Sequence, residues 1–206
     1  MIFTLFCPVL AALRRAWQPI LWMGLTYVLG VVVGAVMVHR HSGYALSQGD
    51  QIVGQAVAGD PAMAASMKGF PVRAALFDFA GNLGRGAVPS TVMGLAVVMP
   101  FPVAVYRGWV GGIVAVDREH KSRLRNWHDA FYYLGVLALQ LIPYSIAGGA
   151  GVRLGLGFLM PKSRWGYKGS RLWLTLPADG VLDVVRIYAL VVPLFLVASL
   201  VEFLLG

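Results

Sequence analysis

The chain has 206 residues, of which 58% are hydrophobic and only 13% are charged. Soluble domains average about 45–50% apolar and about 25% charged residues, and a soluble chain of this length cannot hide so much apolar surface. The composition therefore predicts an integral membrane protein. It excludes a separate soluble catalytic domain, because the connections between the hydrophobic segments are too short to fold alone.

The charge balance is basic, with a formal net charge of +8. In a membrane protein this excess is typical of cytoplasmic loops and of contact with anionic lipid head groups. A nucleic-acid partner is not expected, because no basic run with interleaved aromatic residues occurs.

The first sixteen residues precede the clearest hydrophobic span. They lack a leading basic group and end near Arg14 and Arg15, so we expect an interfacial helix over residues 1–16 rather than a signal peptide. Gln18 to Val38 then gives twenty-one residues without a charge, enough to cross about 30 Å of hydrocarbon. Trp17 beside the basic pair predicts a cytoplasmic N-terminus, because tryptophans favour the interface and basic residues the inner side.

The middle of the chain is more polar and more broken. Residues 39–71 are expected outside the membrane core, as short helices on the far surface. Phe77 to Pro100 is long enough for one helix, which Pro100 and Pro102 are expected to end. Val103 to Val116 has fourteen residues, too few to cross without neighbours, so we expect a half-helix or a re-entrant piece.

Two further hydrophobic segments, Ala130 to Met160 and Val181 to Leu205, are each long enough to cross. The loop between them is basic and carries Lys162, Arg164, Lys168 and Arg171. With the N-terminus inside, five crossings put this loop inside and the C-terminus outside, and this is the arrangement we favour. In the alternative, Val103 to Val116 does not cross and Ala130 to Met160 forms a hairpin. The predicted fold is thus an all-α bundle of about five spans in one domain.

Polar side chains within the hydrophobic segments are the candidates for function. Asp78, Asn82 and Arg85 are spaced i, i+4 and i+7, so they share one face of a regular helix. A charged side chain at the centre of a spanning helix costs about 2.5–3.5 kcal/mol. The three residues therefore indicate a polar pathway or a subunit contact; the alternative is a helix end that places them in interfacial water.

Four more charged residues complete the candidate set. Asp183 and Arg186 are three positions apart and can pair on one helix face. Arg107 and Arg153 are isolated in apolar sequence, so each either pairs with one of the two aspartates or reaches lipid phosphates. Glu202 lies near a helix end and is expected to reach water.

The remaining motifs are weak. Gly-xxx-Gly pairs begin at Gly30, Gly108 and Gly151 and match the spacing for close helix packing. Their number is uninformative, however, because a chain with 25 glycines contains such pairs by chance. No catalytic, cofactor-binding or metal site is predicted: the four histidines have no zinc-binding spacing, and no nucleophile elbow occurs.

Three features stand in chain order between Phe77 and Gly155. Asn82 lies near the start of an apolar helix, a Gly-Trp-Val-Gly step begins at Gly108, and a segment containing Pro143 ends in Ala-Gly-Val-Arg-Leu-Gly155. In this order they resemble the stage II sporulation protein M family of polytopic membrane proteins. Where that family has a His-Gly pair and a glutamate after the proline, this chain departs from it, with Tyr144-Ser145 and Gly148.

The resemblance implies an all-α fold of about five spans and a non-enzymatic role. The sporulation member is understood as a membrane scaffold that recruits peptidoglycan-remodelling proteins. Two functions therefore stay open. One is a scaffold or assembly subunit whose partners are further copies of the chain or other membrane or envelope proteins. The other is a transport component, a channel or a permease-like subunit, which the broken segments and the charges favour.

Overall fold

The computed structural model describes residues 2–117, 119–168 and 176–205. Arg171 of the basic loop and the C-terminal Gly206 lie outside these ranges. Within them the chain forms α1 (Ile2–His39), α2 (Gly43–Gly59), α3 (Pro61–Met67), α4 (Pro71–Gly81), α5 (Val88–Met93), α6 (Pro100–Ile113), α7 (Trp127–Leu159) and α8 (Ala178–Leu205). A π-helical segment, Asn82–Ala87, joins α4 to α5, and a 3₁₀ turn, Gly94–Ala96, follows α5. The all-α prediction is confirmed for these residues.

Three of the described helices are long and apolar enough to cross a membrane, namely α1 from Cys7 onward, α7 and α8. On α1 a row of large apolar side chains faces outward, including Leu25 and Leu29, which are about three-fifths exposed. Such a surface suits lipid rather than water. The residues expected to form a separate interfacial helix are instead continuous with the span, since α1 runs without interruption from Ile2 through Pro8 and Pro19 to His39.

Contacts at the two ends of the long helices give their directions. At one end, Arg15 of α1 binds Asp183 near the start of α8, and Arg153 near the end of α7 reaches the backbone of Arg15. At the other end, His39 of α1 binds Ser122, shortly before α7 begins. We call these the Arg15 end and the His39 end. Helices α1 and α8 run from the first to the second, and α7 runs in reverse.

Residues 71–113 form a broken helical hairpin between the long helices. The first arm enters at the His39 end, where Asp78 binds Ser199 of α8, and reaches the Arg15 end, where Gly94 packs against Gly151 of α7. The chain reverses at Val97, whose φ of +61° is strained for a β-branched residue. Pro100, expected to end the first helix, instead begins α6, a position where its missing N–H is not needed.

The second arm, α6, lies parallel to α1 and is held against it by glycines. A Cβ on Gly108 would collide with the carbonyl oxygen of Tyr27, and one on Gly112 with that of Val31. The facing positions on α1 are Gly30 and Gly34, where a Cβ would equally meet the α6 backbone. Two of the three Gly-xxx-Gly pairs in the sequence thus pack against each other, which allows the backbones to approach closely.

Helices α2 and α3 lie over the His39 end. Asp60 caps α3 by accepting a hydrogen bond from the backbone N–H of Ala62 at 2.7 Å, with Pro61 in the first turn. Ala45, Ala62 and Ala65 are the buried side chains of this pair. The polar region 39–71 therefore contains short helices, as the sequence predicts.

Candidate functional site

A polar network lies inside the bundle towards the His39 end. Asn82 donates from its amide to the Asp78 carboxylate at 2.8 Å and accepts from the Tyr144 hydroxyl at 2.6 Å. The same carboxylate oxygen accepts from Ser199 of α8 at 2.7 Å. Asp78 and Asn82 therefore contact protein, and the network ties the first arm of the hairpin to α7 and α8.

The π-helical segment follows from the local sequence. Pro89 has no backbone N–H, so the carbonyl of Arg85, four residues earlier, loses its usual donor. The N–H of Val88 binds the carbonyl of Leu83, five residues back, which widens the turn. Arg107 of α6 supplies a substitute donor, with its guanidinium 3.4 Å from the Arg85 carbonyl oxygen.

Widening of the helix separates Arg85 from the other two residues of its predicted face. A π-helical turn holds more residues than an α-helical one, so the i+7 position rotates away from Asp78 and Asn82. Arg85 is exposed, and in the described residues it makes no ion pair with Asp78. The three side chains nevertheless line one small cavity of about 380 Å³.

Arg107 stands between this small cavity and a larger one. Its guanidinium lies 4.5 Å from the centre of the Tyr144 ring, a cation–π contact. A Cβ on Gly86 would press against both Tyr144 and Arg107, so the glycine makes room for this pair. The sequence offered pairing with an aspartate for Arg107; the structure gives it a carbonyl and an aromatic ring instead.

The larger cavity has a volume of about 700 Å³ and lies between α1, α6 and α7, with the end of α8 on one side and α2 and α3 over it. Valines and leucines form much of its wall, and its polar groups include Tyr27, Arg107, Tyr133, Gln140 and Glu202. This size is that of a small-molecule site rather than of a single ion. Because Asn82, Arg107 and Tyr144 line both cavities, the two are neighbours.

Glu202 faces this cavity. Its carboxylate accepts from the Gln140 amide, and its backbone carbonyl accepts from the Tyr132 hydroxyl at 2.8 Å. The sequence placed Glu202 near a helix end in reach of water and gave no sign of Gln140 or Tyr132. Both residues lie among apolar residues of α7, and their spacing in the sequence does not distinguish them from residues without a functional role.

Below the cavities, towards the Arg15 end, the bundle is tightly packed. The Thr91 hydroxyl lies 2.9 Å from the Ala147 carbonyl oxygen and 2.7 Å from the Tyr188 hydroxyl, which joins α5, α7 and α8. A Cβ on Gly151 would collide with the Thr91 backbone, and one on Gly155 with that of Gly94. The third Gly-xxx-Gly pair is therefore also a close helix contact.

The remaining charged candidates gather at the Arg15 end. Arg15 binds both carboxylate oxygens of the buried Asp183, with nitrogen–oxygen distances of 2.7 and 2.5 Å. Arg186 adds a longer contact of 3.4 Å to the same carboxylate, the local pair that the spacing predicts. Arg15, which the sequence pointed to only as a topology signal, is the main partner of Asp183.

Arg153 is buried beside this ion pair but does not join it. It donates to the carbonyl oxygens of Arg15 at 3.2 Å and of Trp165 at 2.5 Å. Its guanidinium also lies 4.2 Å from the centre of the Tyr167 ring. Burial raises the pKa of Tyr167, so the ring stays neutral and supplies a π face. The sequence offered an aspartate or lipid phosphate for Arg153; in the structure its contacts are with the loop after α7 and with α1.

Compared with protein-family models, with curated proteins and with solved structures, the chain shows no match. The described residues hold no cluster of three histidine, cysteine, aspartate or glutamate side chains arranged for a metal ion.

Proposed function

We propose that the chain crosses the cell membrane five times, with its N-terminus in the cytoplasm. The first arm of the hairpin, Pro71 to Ala96, is roughly 39 Å long at 1.5 Å per residue, and its contacts run from the His39 end to the Arg15 end. Helix α6 then returns beside α1. In this arrangement the π-helical segment packs against protein through its buried residues Gly86 and Ala87, and the turn at Val97 lies at the Arg15 end of the bundle.

We further propose that the protein is a non-enzymatic scaffold or assembly subunit of a membrane complex, in the manner implied by its resemblance to the stage II sporulation protein M family. The observation that carries this proposal is the packing at the Arg15 end. Backbone touches backbone between Gly94 and Gly151 and around Gly155, so these helices cannot slide past one another without steric collision. A rigid half of this kind suits a frame that positions partners.

The side of the molecule that would meet a partner is the His39 end. Tyr44 in α2, Met67 at the end of α3 and Phe70 shortly after it each expose more than half of their surface there. Exposed apolar side chains rimmed by polar ones are typical of contact sites. The partners expected are other membrane or envelope proteins or further copies of the chain, with anionic lipids around the basic loop.

Purification of the tagged protein in a mild detergent tests the assembly role. We expect a complex well above the 22.2 kDa of one chain, and we expect Met67→Glu to reduce the co-purified protein. The matched control is Ser66→Glu, which adds the same charge at a neighbouring exposed polar position. A monodisperse and active single chain without associated protein would contradict the proposal.

A transport component is the second candidate, and the cavity of about 700 Å³ beside a π-helical segment is the observation that favours it. Broken helices lining a polar cavity are typical of transporters. Flux into proteoliposomes containing the purified protein separates the two functions. Solute or ion uptake above that of empty liposomes, abolished by a side chain that fills the cavity, would favour transport; a tight barrier favours the scaffold.

A further inference from the structure

We infer that the larger cavity is a binding site for an amphiphilic oxyanion, a molecule with a phosphate or carboxylate group joined to an apolar chain. Arg107 is the group that binds the anion. The inference goes beyond the assembly role and does not depend on it.

The Arg107 guanidinium has no acidic partner among the described residues. It carries five N–H donors. In the described residues the guanidinium contacts the Arg85 carbonyl at 3.4 Å and the Tyr144 side chain, so further donors remain for a ligand. No carboxylate of the described residues lies within 4.0 Å of it. The planar guanidinium matches the paired oxygens of phosphate and carboxylate groups, so an oxyanion is the complementary ligand.

The carboxylates near Arg107 already accept hydrogen bonds from neutral side chains. Asp78 accepts from Asn82 and Ser199, and Glu202 accepts from Gln140. Hydrogen bonds of this kind stabilise a carboxylate without a cation. Among the described residues Arg107 therefore has no carboxylate partner, and it keeps donors beyond those that contact Arg85 and Tyr144.

The size and lining of the cavity suit a ligand that is larger than an inorganic anion and partly apolar. Its volume of about 700 Å³ greatly exceeds that of one phosphate ion and lies in the range of sites for small organic molecules. Val31, Val110, Val136 and Leu137 supply apolar wall on α1, α6 and α7. An anion with an apolar chain satisfies both kinds of surface, whereas an inorganic anion fills only a part of the space.

A second basic group marks the mouth of the cavity. Arg123 lines the large cavity and also two smaller cavities near the loop between α6 and α7. The only described hydrogen bond of its side chain is a 3.5 Å contact with the carbonyl of Val116. Arg123 thus lies at the entrance of the cavity and Arg107 lies inside it. The two positive charges attract an anion from the entrance towards Arg107.

Two sources share this ligand chemistry, a diacyl phospholipid from the bilayer and a water-soluble single-chain phosphate ester. We propose to titrate the purified protein in a neutral detergent with dihexanoyl phosphatidylglycerol and with hexyl phosphate, and to measure binding by calorimetry and native mass spectrometry. Dihexanoyl phosphatidylcholine and inorganic phosphate serve as matched probes. Tighter binding of dihexanoyl phosphatidylglycerol identifies the membrane as the source of the ligand. Tighter binding of hexyl phosphate identifies the aqueous phase as the source.

The variants decide whether Arg107 holds the anion. Arg107→Gln is expected to weaken binding of the anionic probes by about tenfold or more, since a hydrogen bond to a charged group is lost. Arg73→Gln is the matched control, because it removes the same charge from an exposed residue whose guanidinium lies 5.3 Å from the Phe77 ring, away from the cavity. Its affinity is expected to equal that of the wild type.

Two further variants keep the test decisive if Arg107→Gln fails to fold. Arg107→Lys retains the charge but not the planar arrangement of donors, so it is expected to bind the anionic probes more weakly than the wild type and more tightly than Arg107→Gln. Val136→Phe fills the apolar wall and is expected to weaken binding of the chained probes without touching a charge. Unchanged affinity in Arg107→Gln or in Val136→Phe, equal binding of the phosphatidylcholine and phosphatidylglycerol probes, or no binding of either anionic probe would overturn the inference.

Discussion

At Asn82, one amide side chain serves two neighbours at once. Its N–H donates to Asp78 and its carbonyl accepts from Tyr144, so α4, α7 and α8 are joined at a point surrounded by apolar sequence. A buried polar group that loses its partner costs about 1–3 kcal/mol. Asn82 therefore contributes more to the unfolding free energy than a single hydrogen bond would.

Replacement of Asn82 by leucine is expected to lower the unfolding free energy by about 1–3 kcal/mol, because the Tyr144 hydroxyl and the Asp78 carboxylate each lose a partner. Thermal unfolding in detergent, followed by tryptophan fluorescence, measures the effect. Leu83→Val is the control, a small apolar change at the next position. Equal and negligible shifts of the unfolding temperature in the two variants would contradict a buried Asn82 and would favour the alternative, in which this helix end lies in interfacial water.

The ion pair between Arg15 and Asp183 is expected to stabilise the fold. Arg15→Gln leaves the buried Asp183 with only its longer contact to Arg186. Breaking a fully buried pair costs about 3–5 kcal/mol. Because 43% of the Arg15 side chain is exposed, water screens the remaining charge, and we expect about 1–3 kcal/mol.

The control for Arg15 is its neighbour. Arg14→Gln removes the same charge from an exposed position that makes no ion pair within the described residues. Its unfolding midpoint in detergent is expected to stay at the wild-type value. Equal destabilisation by the two substitutions would show that net charge, rather than the contact with Asp183, is what matters.

At the scale of elements, the pairing of α1 with α6 depends on the absence of side chains. Helix α6 is about 21 Å long at 1.5 Å per residue, shorter than the hydrocarbon layer. Its polar backbone ends therefore need protein around them. The glycine contacts with α1 bring the two backbones together and supply that cover along one side.

Gly108→Ala is expected to lower the unfolding free energy by about 1–3 kcal/mol, as over-packing does in a close contact. The added Cβ would meet the Tyr27 carbonyl oxygen, and backbone cannot rotate out of the way. Gly135→Ala is the matched control, because a Cβ there has no neighbour within 4 Å on a helix that is also apolar. A loss of stability that is equal in the two variants would contradict close α1–α6 packing.

How far these elements could be predicted from the sequence depends on the range of the interactions involved. The charge-free stretch from Gln18 to Val38 predicts its span because lipid acts on every residue alike. The ion pair of Arg15 with Asp183 joins positions 168 apart, and no local spacing encodes it. The prediction that Pro100 ends a helix was wrong, because the break came earlier, at Val97, and proline suits the first turn of α6.

The contacts of the Gly-xxx-Gly pairs also depend on partners that are distant in the sequence. Their number has no meaning by itself, yet in the structure each pair lies where a Cβ would collide with a neighbouring backbone. What the sequence lacks is the partner: Gly30 and Gly108 are recognisable as a contact only after the hairpin has placed α6 beside α1. The cavity cannot be recognised in the sequence for the same reason, since its walls come from six separate helices and the π-helical segment.

At the scale of the whole molecule, a contact between the end of α1 and the loop after α6 favours the proposed five-span arrangement over its alternative. His39 binds Ser122 at 2.7 Å, so the two residues are on the same side of the membrane. If α1 carries His39 to the outer face, the loop between α6 and α7 must also be outside. The alternative in which both charged loops lie inside would separate these two residues by the thickness of the bilayer.

Cysteine accessibility in intact cells tests this directly. Cys7→Ser provides a background without cysteine, since Cys7 is the only one in the chain, and single cysteines are then placed at Ser122 and Ser163. We expect a membrane-impermeant maleimide to label Ser122→Cys in intact cells and Ser163→Cys only after permeabilisation, because the loop after α7 lies at the Arg15 end with the basic residues. Labelling of Gly206→Cys in intact cells is expected as well. The contrary outcome is that Ser122→Cys is labelled only after permeabilisation while a cysteine at the exposed Gly54 is labelled in intact cells. The loop between α6 and α7 would then lie in the cytoplasm, opposite α2, and the five-span arrangement would be wrong.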